Sequence, residues 1–253
     1  MVFSSLTFLF LFFPLVMGVY YLCPRALRNL WLLLTSLLFY AWGEPVYIRL
    51  MAASILFNYL CGLGVAALQK REKKRLAKGL LILCIAGNIG ALGLFKYADL
   101  LIGTVNNIAG SKIALLELAL PIGISFYTFQ ALSYTIDVYQ HKIKPTHDIV
   151  AFFAFISFFP QLVAGPIERA TNLLPQFLVP RGFSYDKAVD GMRQILWGLF
   201  KKMVVADNCA AAVNLIFDEY QTLGGTHLFL GALFFTFQIY GDFSGYSDIA
   251  IGT

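Results

Sequence analysis

Apolar residues run along this chain in blocks too long for the core of a soluble domain: 1–21, 28–42, 46–68, 79–95, 115–139, 149–164 and 226–250 are each predominantly hydrophobic. A helical bilayer crossing needs about 20 such residues, so the pattern predicts spans at these seven places, some of them tilted or incomplete. Block 1–21 has no basic leader and no small-residue cleavage pattern, and it reads as a retained first helix rather than a signal peptide. Ahead of the last block, Ser184 stands where it caps a helix. There Ala188, Met192, Ile195, Leu199 and Met203 recur on one face, with Lys187, Asp190, Gln194 and Lys201 opposite, the pattern of a helix lying in the membrane interface. The run 204–217 is interrupted by Asp207, Asn208 and Asn214 and predicts no secure crossing.

Composition strengthens this picture. Of 253 residues, 59% are hydrophobic and 13% charged, and the mean hydropathy is +0.73, more apolar surface than one core can bury. Disordered, disulfide-stapled and collagenous chains are excluded. The formal charge of +5 would suit nucleic acid were it not confined to loops. Lys70, Arg71, Lys73, Lys74, Arg75 and Lys78 cluster between apolar blocks, as in a cytoplasmic loop against lipid headgroups, so the expected partner is the bilayer and not nucleic acid. Arg25 and Arg28 after the first block, with that cluster after the third, place the N-terminus outside. Counting onward, Arg169, Arg181, Lys187, Arg193, Lys201 and Lys202 land on the wrong side unless one block fails to cross. Block 149–164 is the expected exception, because Pro160 and Gly165-Pro166 interrupt helical bonding in a broken or re-entrant helix. The fold class expected is therefore all-α: a polytopic transmembrane helical bundle with broken or re-entrant and interfacial helices, forming a single membrane domain over 1–253.

Polar residues inside the apolar blocks mark where chemistry is expected. An ionisable group at the bilayer centre costs on the order of 3 kcal/mol and usually faces a bundle interior or water. Tyr127, Gln130, Tyr134, Asp137 and His141 follow at offsets of three and four, one face of a helix. Gln238, Asp242 and Tyr246 repeat the pattern, with Ser244 and Asp248 four apart beside them. Such residues either hydrogen-bond helices together or border a hydrated tunnel; two carboxylates and several phenols favour the tunnel. Gly241 and Gly245 predict close helix approach. No metal, dinucleotide, phosphate-loop or G-x-S-x-G motif is present. Cys23, Cys61, Cys84 and Cys209 lack ligand spacing, and His141, His147 and His227 read as solvated or interfacial.

Four strings carry a resemblance: Leu-Pro-Ile-Gly-Ile-Ser-Phe-Tyr-Thr-Phe-Gln at 120–130, Ser-Tyr-Thr-Ile-Asp-Val-Tyr at 133–139, Phe-Phe-Pro-Gln-Leu-Val-Ala-Gly-Pro-Ile-Glu-Arg at 158–169, and Gly-Asp-Phe-Ser-Gly-Tyr-Ser-Asp-Ile-Ala-Ile-Gly at 241–252. Together they closely resemble the membrane-bound O-acyltransferase family, in its alginate O-acetylation branch, with the membrane proteins of teichoic acid D-alanylation more distant. The resemblance implies a multi-pass protein of the bacterial inner membrane. It would pass an acetyl group from a cytoplasmic thioester, acetyl-CoA or another, to an exported alginate-like polysaccharide through periplasmic acetyltransferase partners, with no cofactor bound.

On this resemblance Gln161 joins Gln130, Tyr134, Asp137, Gln238, Asp242, Ser244, Tyr246 and Asp248 as expected tunnel wall, and Glu168 and Arg169 are expected at the donor's mouth, where Arg169 could hold a donor phosphate. The family's catalytic histidine lies in a segment that follows the 241–252 string, so the chain to Thr253 is expected to be the N-terminal part of a longer protein, without that histidine. A rival reading from another class is a conduit or transporter whose polar stripes conduct a small solute.

Overall fold

A computed structural model describes residues 3–162, 165 and 168–253. Among them the chain is all-helical, with no strand. The helices are α1 (Phe13–Leu22, preceded by a π-helical turn Phe8–Phe12), α2 (Arg28–Gly43), α3 (Ile48–Lys70), α4 (Lys74–Ala109), α5 (Ile124–Tyr139), α6 (Ile149–Ser157), α7 (Phe159–Leu162), α8 (Ala170–Leu178), α9 (Tyr185–Leu199), α10 (Asp207–Asp218) and α11 (Gly225–Gly252). They fall into two compact units, one holding α2 to α8 and the other α1 with α9 to α11.

In the α2–α8 unit, α3 and α4 are long and apolar enough to cross a membrane, the two such helices among the described residues. A reciprocal amide pair joins them: Asn58 Nδ2 donates to Asn88 Oδ1 at 2.9 Å and Asn88 Nδ2 donates to Asn58 Oδ1 at 3.0 Å. Helix α4 corrects the expected 79–95, since its 36 residues extend about 54 Å at 1.5 Å per residue. It stops at Gly110, whose φ of +65° suits glycine.

The expected helix 115–139 is also corrected, because its first third is not helical. The Asp99 carboxylate accepts the Leu116 and Glu117 amides at 2.7 and 3.0 Å, and Asn106 Oδ1 accepts the Ile113 amide. Those donors are thereby withdrawn from helical bonding. Pro121 follows without an N–H, and Gly123 adopts φ +74° against the Leu162 carbonyl, where a Cβ would collide. Helix α5 starts immediately afterwards. It ends at Tyr139, and His141 turns away with φ +60°, so the stripe of Tyr127, Gln130, Tyr134 and Asp137 does not continue through His141.

The break expected in 149–164 is present, at a slightly different place. Asp148 caps α6 by accepting the Ala151 amide at 2.9 Å, and helical geometry fails at Phe158. Pro160 lacks the N–H that Ile156 would accept and crowds that carbonyl. The amide of Phe159 is taken up instead by Ser36 Oγ of α2 at 3.1 Å. Of the expected second interruption, Gly165 alone is described; Pro166 lies outside the described residues.

In the other unit, Ser184 is the first, extended residue before α9, as expected, but its side chain makes no capping bond. The helix does not stop at Leu199. It runs through a π-helical stretch, Phe200–Ala206, directly into α10, so the run 204–217 belongs to one continuous helical rod from residue 185 to 218. Helix α11 packs antiparallel against it through glycines. A Cβ on Gly198 would stand 2.5 Å from the Gly245 carbonyl, and one on Gly245 would stand 2.7 Å from the Gly198 carbonyl. The close approach predicted from Gly241 and Gly245 is thus real, Gly241 against the Lys201 carbonyl and Ala206 and Gly245 against the Gly198 carbonyl, and Gly191 meets Gly252 in the same way.

Candidate functional site

The α5 stripe is buried. Tyr127, Gln130, Tyr134 and Asp137 are each less than a tenth exposed, on a helix whose 3.6-residue period stacks them. Gln130 Nε2 donates to Gln161 Oε1 and to the Phe155 carbonyl, both at 3.1 Å. Two predicted site residues, 31 positions apart, therefore meet, and Gln130 also binds the carbonyl left near the break between α6 and α7. The Tyr134 hydroxyl accepts the Thr146 amide at 3.1 Å. Its ring lies 4.7 Å from that of Phe152 and against Gly62 of α3, which has no Cβ to obstruct it. Gln130, Gln161 and Tyr134 thus hold α5, α6 and the 140–148 loop in register. Among the described residues the Tyr127 hydroxyl is buried with no hydrogen-bond partner, and so is that of Tyr40 on α2, which the sequence does not single out.

The α11 stripe differs in kind. Asp248 Oδ2 accepts from Lys201 Nζ at 2.6 Å, with Gln194 Nε2 also directed at Asp248. Asp242 Oδ1 accepts from Lys202 Nζ at 2.5 Å, and Lys202 also reaches Asp207 Oδ1 at 2.7 Å. Lys201 was expected on a solvated helix face. It is in fact less than a fifth exposed and paired across to α11. The π-helical stretch explains how consecutive lysines both reach one neighbouring helix, since its wider i→i+5 turn alters the angle between successive side chains. Burial works against the Lys202 charge, yet its bonds to Asp207 and Asp242 and their attraction hold its pKa above the ordinary lysine value.

Gln238 Oε1, Ser244 Oγ and the Tyr246 hydroxyl on α11 are buried and have no hydrogen-bond partner among the described residues, although the Tyr246 ring stacks on Phe3 at 4.4 Å. A buried polar atom left unsatisfied costs about 1–3 kcal/mol. Finding four of them on the two stripes picked from sequence, Tyr127, Gln238, Ser244 and Tyr246, marks positions that water or a substrate's polar atoms can complete.

Glu168 and Arg169 lie just ahead of α8, Glu168 half-buried and Arg169 exposed, and among the described residues no ion pair joins them. His141, His147 and His227 are all exposed. Among the described residues no cluster of His, Cys, Asp or Glu suits a metal ion, and no disulfide joins the four cysteines.

No family model matches the chain. Over its whole length it is 43% identical to a Pseudomonas aeruginosa protein named as an alginate O-acetylase, of which it covers 48%, and 42% identical to an Azotobacter vinelandii protein of the same name, of which it covers 50%. It is 35% identical, again over all its residues, to a Helicobacter pylori peptidoglycan O-acetyltransferase, covering 53%. The chain spans about half the length of these curated relatives. The resemblance read from the four strings is borne out: along its entire length this chain is homologous to proteins named as alginate O-acetylases.

Proposed function

We propose that this chain forms part of a membrane O-acetyltransferase that carries an acetyl group from a cytoplasmic acyl thioester, acetyl-CoA or another, to an exported polysaccharide. In this reading the protein sits in the bacterial inner membrane with its N-terminus outside, α6 and α7 form a re-entrant element, and periplasmic acetyltransferase partners complete delivery. The relatives' names support the reaction class. One is named for alginate and one for peptidoglycan, which supports a glycan acceptor.

The observation that carries the reading is the presence in each unit of buried polar atoms with no hydrogen-bond partner among the described residues, Tyr127 on α5 in one and Gln238, Ser244 and Tyr246 on α11 in the other. Acyl transfer to a hydroxyl forms a C–O bond at the thioester carbonyl and breaks the C–S bond; the hydroxyl proton goes to a base and the thiol departs. The step needs hydrogen-bond donors for the developing oxyanion and exclusion of water that would hydrolyse the donor. Unengaged hydroxyls in an apolar setting supply donors of that kind. Gln130, Gln161, Asp137, Asp242 and Asp248 are assigned to the walls of the path, and Glu168 and Arg169 to its donor end. The exposed histidines are not assigned the base.

Acetyl content of the exported polysaccharide tests the reading. A strain lacking the gene is expected to lose acetylation, and retention of full acetylation overturns the proposal. In the full-length protein, Tyr127→Phe and Tyr246→Phe remove one oxygen each. Each is expected to lower acetylation about ten-fold or more, comparable to losing one transition-state hydrogen bond, at unchanged protein level. Full activity in both variants removes these hydroxyls from the path.

A further inference from the structure

In the α2–α8 unit, three guanidinium side chains converge on a cavity whose lining holds none of the residues assigned to acyl transfer. Arg25, Arg28, Asn29, Asp148, Phe177 and Arg181 are among the residues lining its roughly 240 Å³. Three positive charges there face one carboxylate, and Asp148 already commits an oxygen to capping α6. Neutral groups set the orientation of the cations. The Arg28 guanidinium donates to the Arg181 carbonyl at 2.5 Å, and Arg181 donates to Asn29 Oδ1 while lying 5.1 Å over the Phe177 ring. Asn29 in turn donates to the Phe177 carbonyl at 2.7 Å. Guanidinium forks held in this way match the oxygens of a phosphate better than a mobile lysine would.

The surroundings identify what carries the phosphate. Helix α2, which bears Arg28 and Asn29, exposes Leu30, Leu34 and Leu38 at four-residue spacing, an apolar ridge about 12 Å long at 1.5 Å per residue. Leu178 and Val179, at the cavity's rim, are also exposed. A basic pocket at the head of an apolar ridge suits an amphiphile. We infer that this cavity binds the headgroup phosphate of an anionic phospholipid, with its acyl chains lying along Leu30, Leu34 and Leu38.

Native mass spectrometry of the full-length protein, released from micelles containing equal phosphatidylglycerol and phosphatidylethanolamine, tests the site. The wild type is expected to retain phosphatidylglycerol selectively. Arg25→Ala is expected to reduce that retention about five-fold, the weight of about 1 kcal/mol for one basic residue near anionic lipid. Arg25→Glu should reduce it further, and Arg181→Lys, which keeps the charge and loses the fork, should fall between wild type and Arg25→Ala. Lys112→Glu, at an exposed position outside the helices, should leave retention unchanged, and helical circular dichroism of each variant reports folding. Equal retention by wild type and both Arg25 variants, or no preference over phosphatidylethanolamine, overturns the assignment. Complete displacement of the lipid by inorganic phosphate also overturns it, in favour of a soluble phosphate ligand.

Discussion

The two units use polar side chains inside apolar helices in opposite ways. In the α2–α8 unit the buried polar contacts are neutral: Asn58 with Asn88, Gln130 with Gln161, the Tyr134 hydroxyl with the Thr146 amide. In the other, α11 is joined to its neighbour by ion pairs, Lys201 with Asp248 and Lys202 with Asp242, set beside glycine contacts that bring the backbones together. Neutral pairs in a low-dielectric setting need only geometry, whereas a charged pair must also offset desolvation, and losing one partner strands the other. The first unit should therefore tolerate single polar substitutions and the second should not.

The largest break in that contrast is expected at the glycine contact. Gly198→Val places methyl groups where the Gly245 carbonyl and the Ile249 amide now stand, 2.5 and 2.9 Å from a Cβ, and should cost about 3 kcal/mol. This is measurable as a lowered Tm in detergent. Gly90→Ala, with open space around its position, serves as the harmless comparison. Next, Asp248→Leu should cost about 2 kcal/mol, below the usual 3–5 for a fully buried pair because Lys201 and Asp248 keep nearly a fifth of their exposure. Adding Lys201→Met should recover most of it, and a double variant as unstable as the single would show that the two charges are not coupled. In the neutral unit, Asn88→Leu strands the Asn58 amide and should cost about 1 kcal/mol, read in the same melting experiment. An equal or larger loss than for Asp248→Leu would reverse the contrast.

The smallest effect is a pH dependence. The pKa of Lys202 is raised in the folded protein above the ordinary 10.5. Its stabilising contribution is thus fully present below pH 10.5 and is lost as pH climbs through the higher folded value. The stability difference between wild type and Lys202→Met should be constant at neutral pH and shrink only on the alkaline side of 10.5.

Much of the helical framework is legible from hydrophobic pattern. The block 46–68 became Ile48–Lys70 and the block 226–250 became Gly225–Gly252, because a long apolar run flanked by turn residues has few alternatives to helix. The break after residue 157 followed from Pro160, and burial of Tyr127, Gln130, Tyr134 and Asp137 followed from their offsets. The pattern failed where side chains compete with backbone bonding. Asp99, seventeen residues upstream, claims the Leu116 amide and denies helix to an apolar run. At Lys201 the pattern gave the face, shared with Gln194, and not its neighbour: both side chains reach Asp248 of α11.

Sequence alone therefore determined that this is an all-helical chain rich in apolar segments and which of its residues are polar against that background, since both are local properties of composition and period. Tertiary structure decided what each polar group does. Gln130 meets Gln161, Asp248 meets Lys201 from 47 residues away, and the Tyr127 and Tyr246 hydroxyls meet no partner among the described residues. The physical reason is that a hydrogen bond reaches about 3 Å, so whether a buried group is satisfied depends on which distant helix is folded against it.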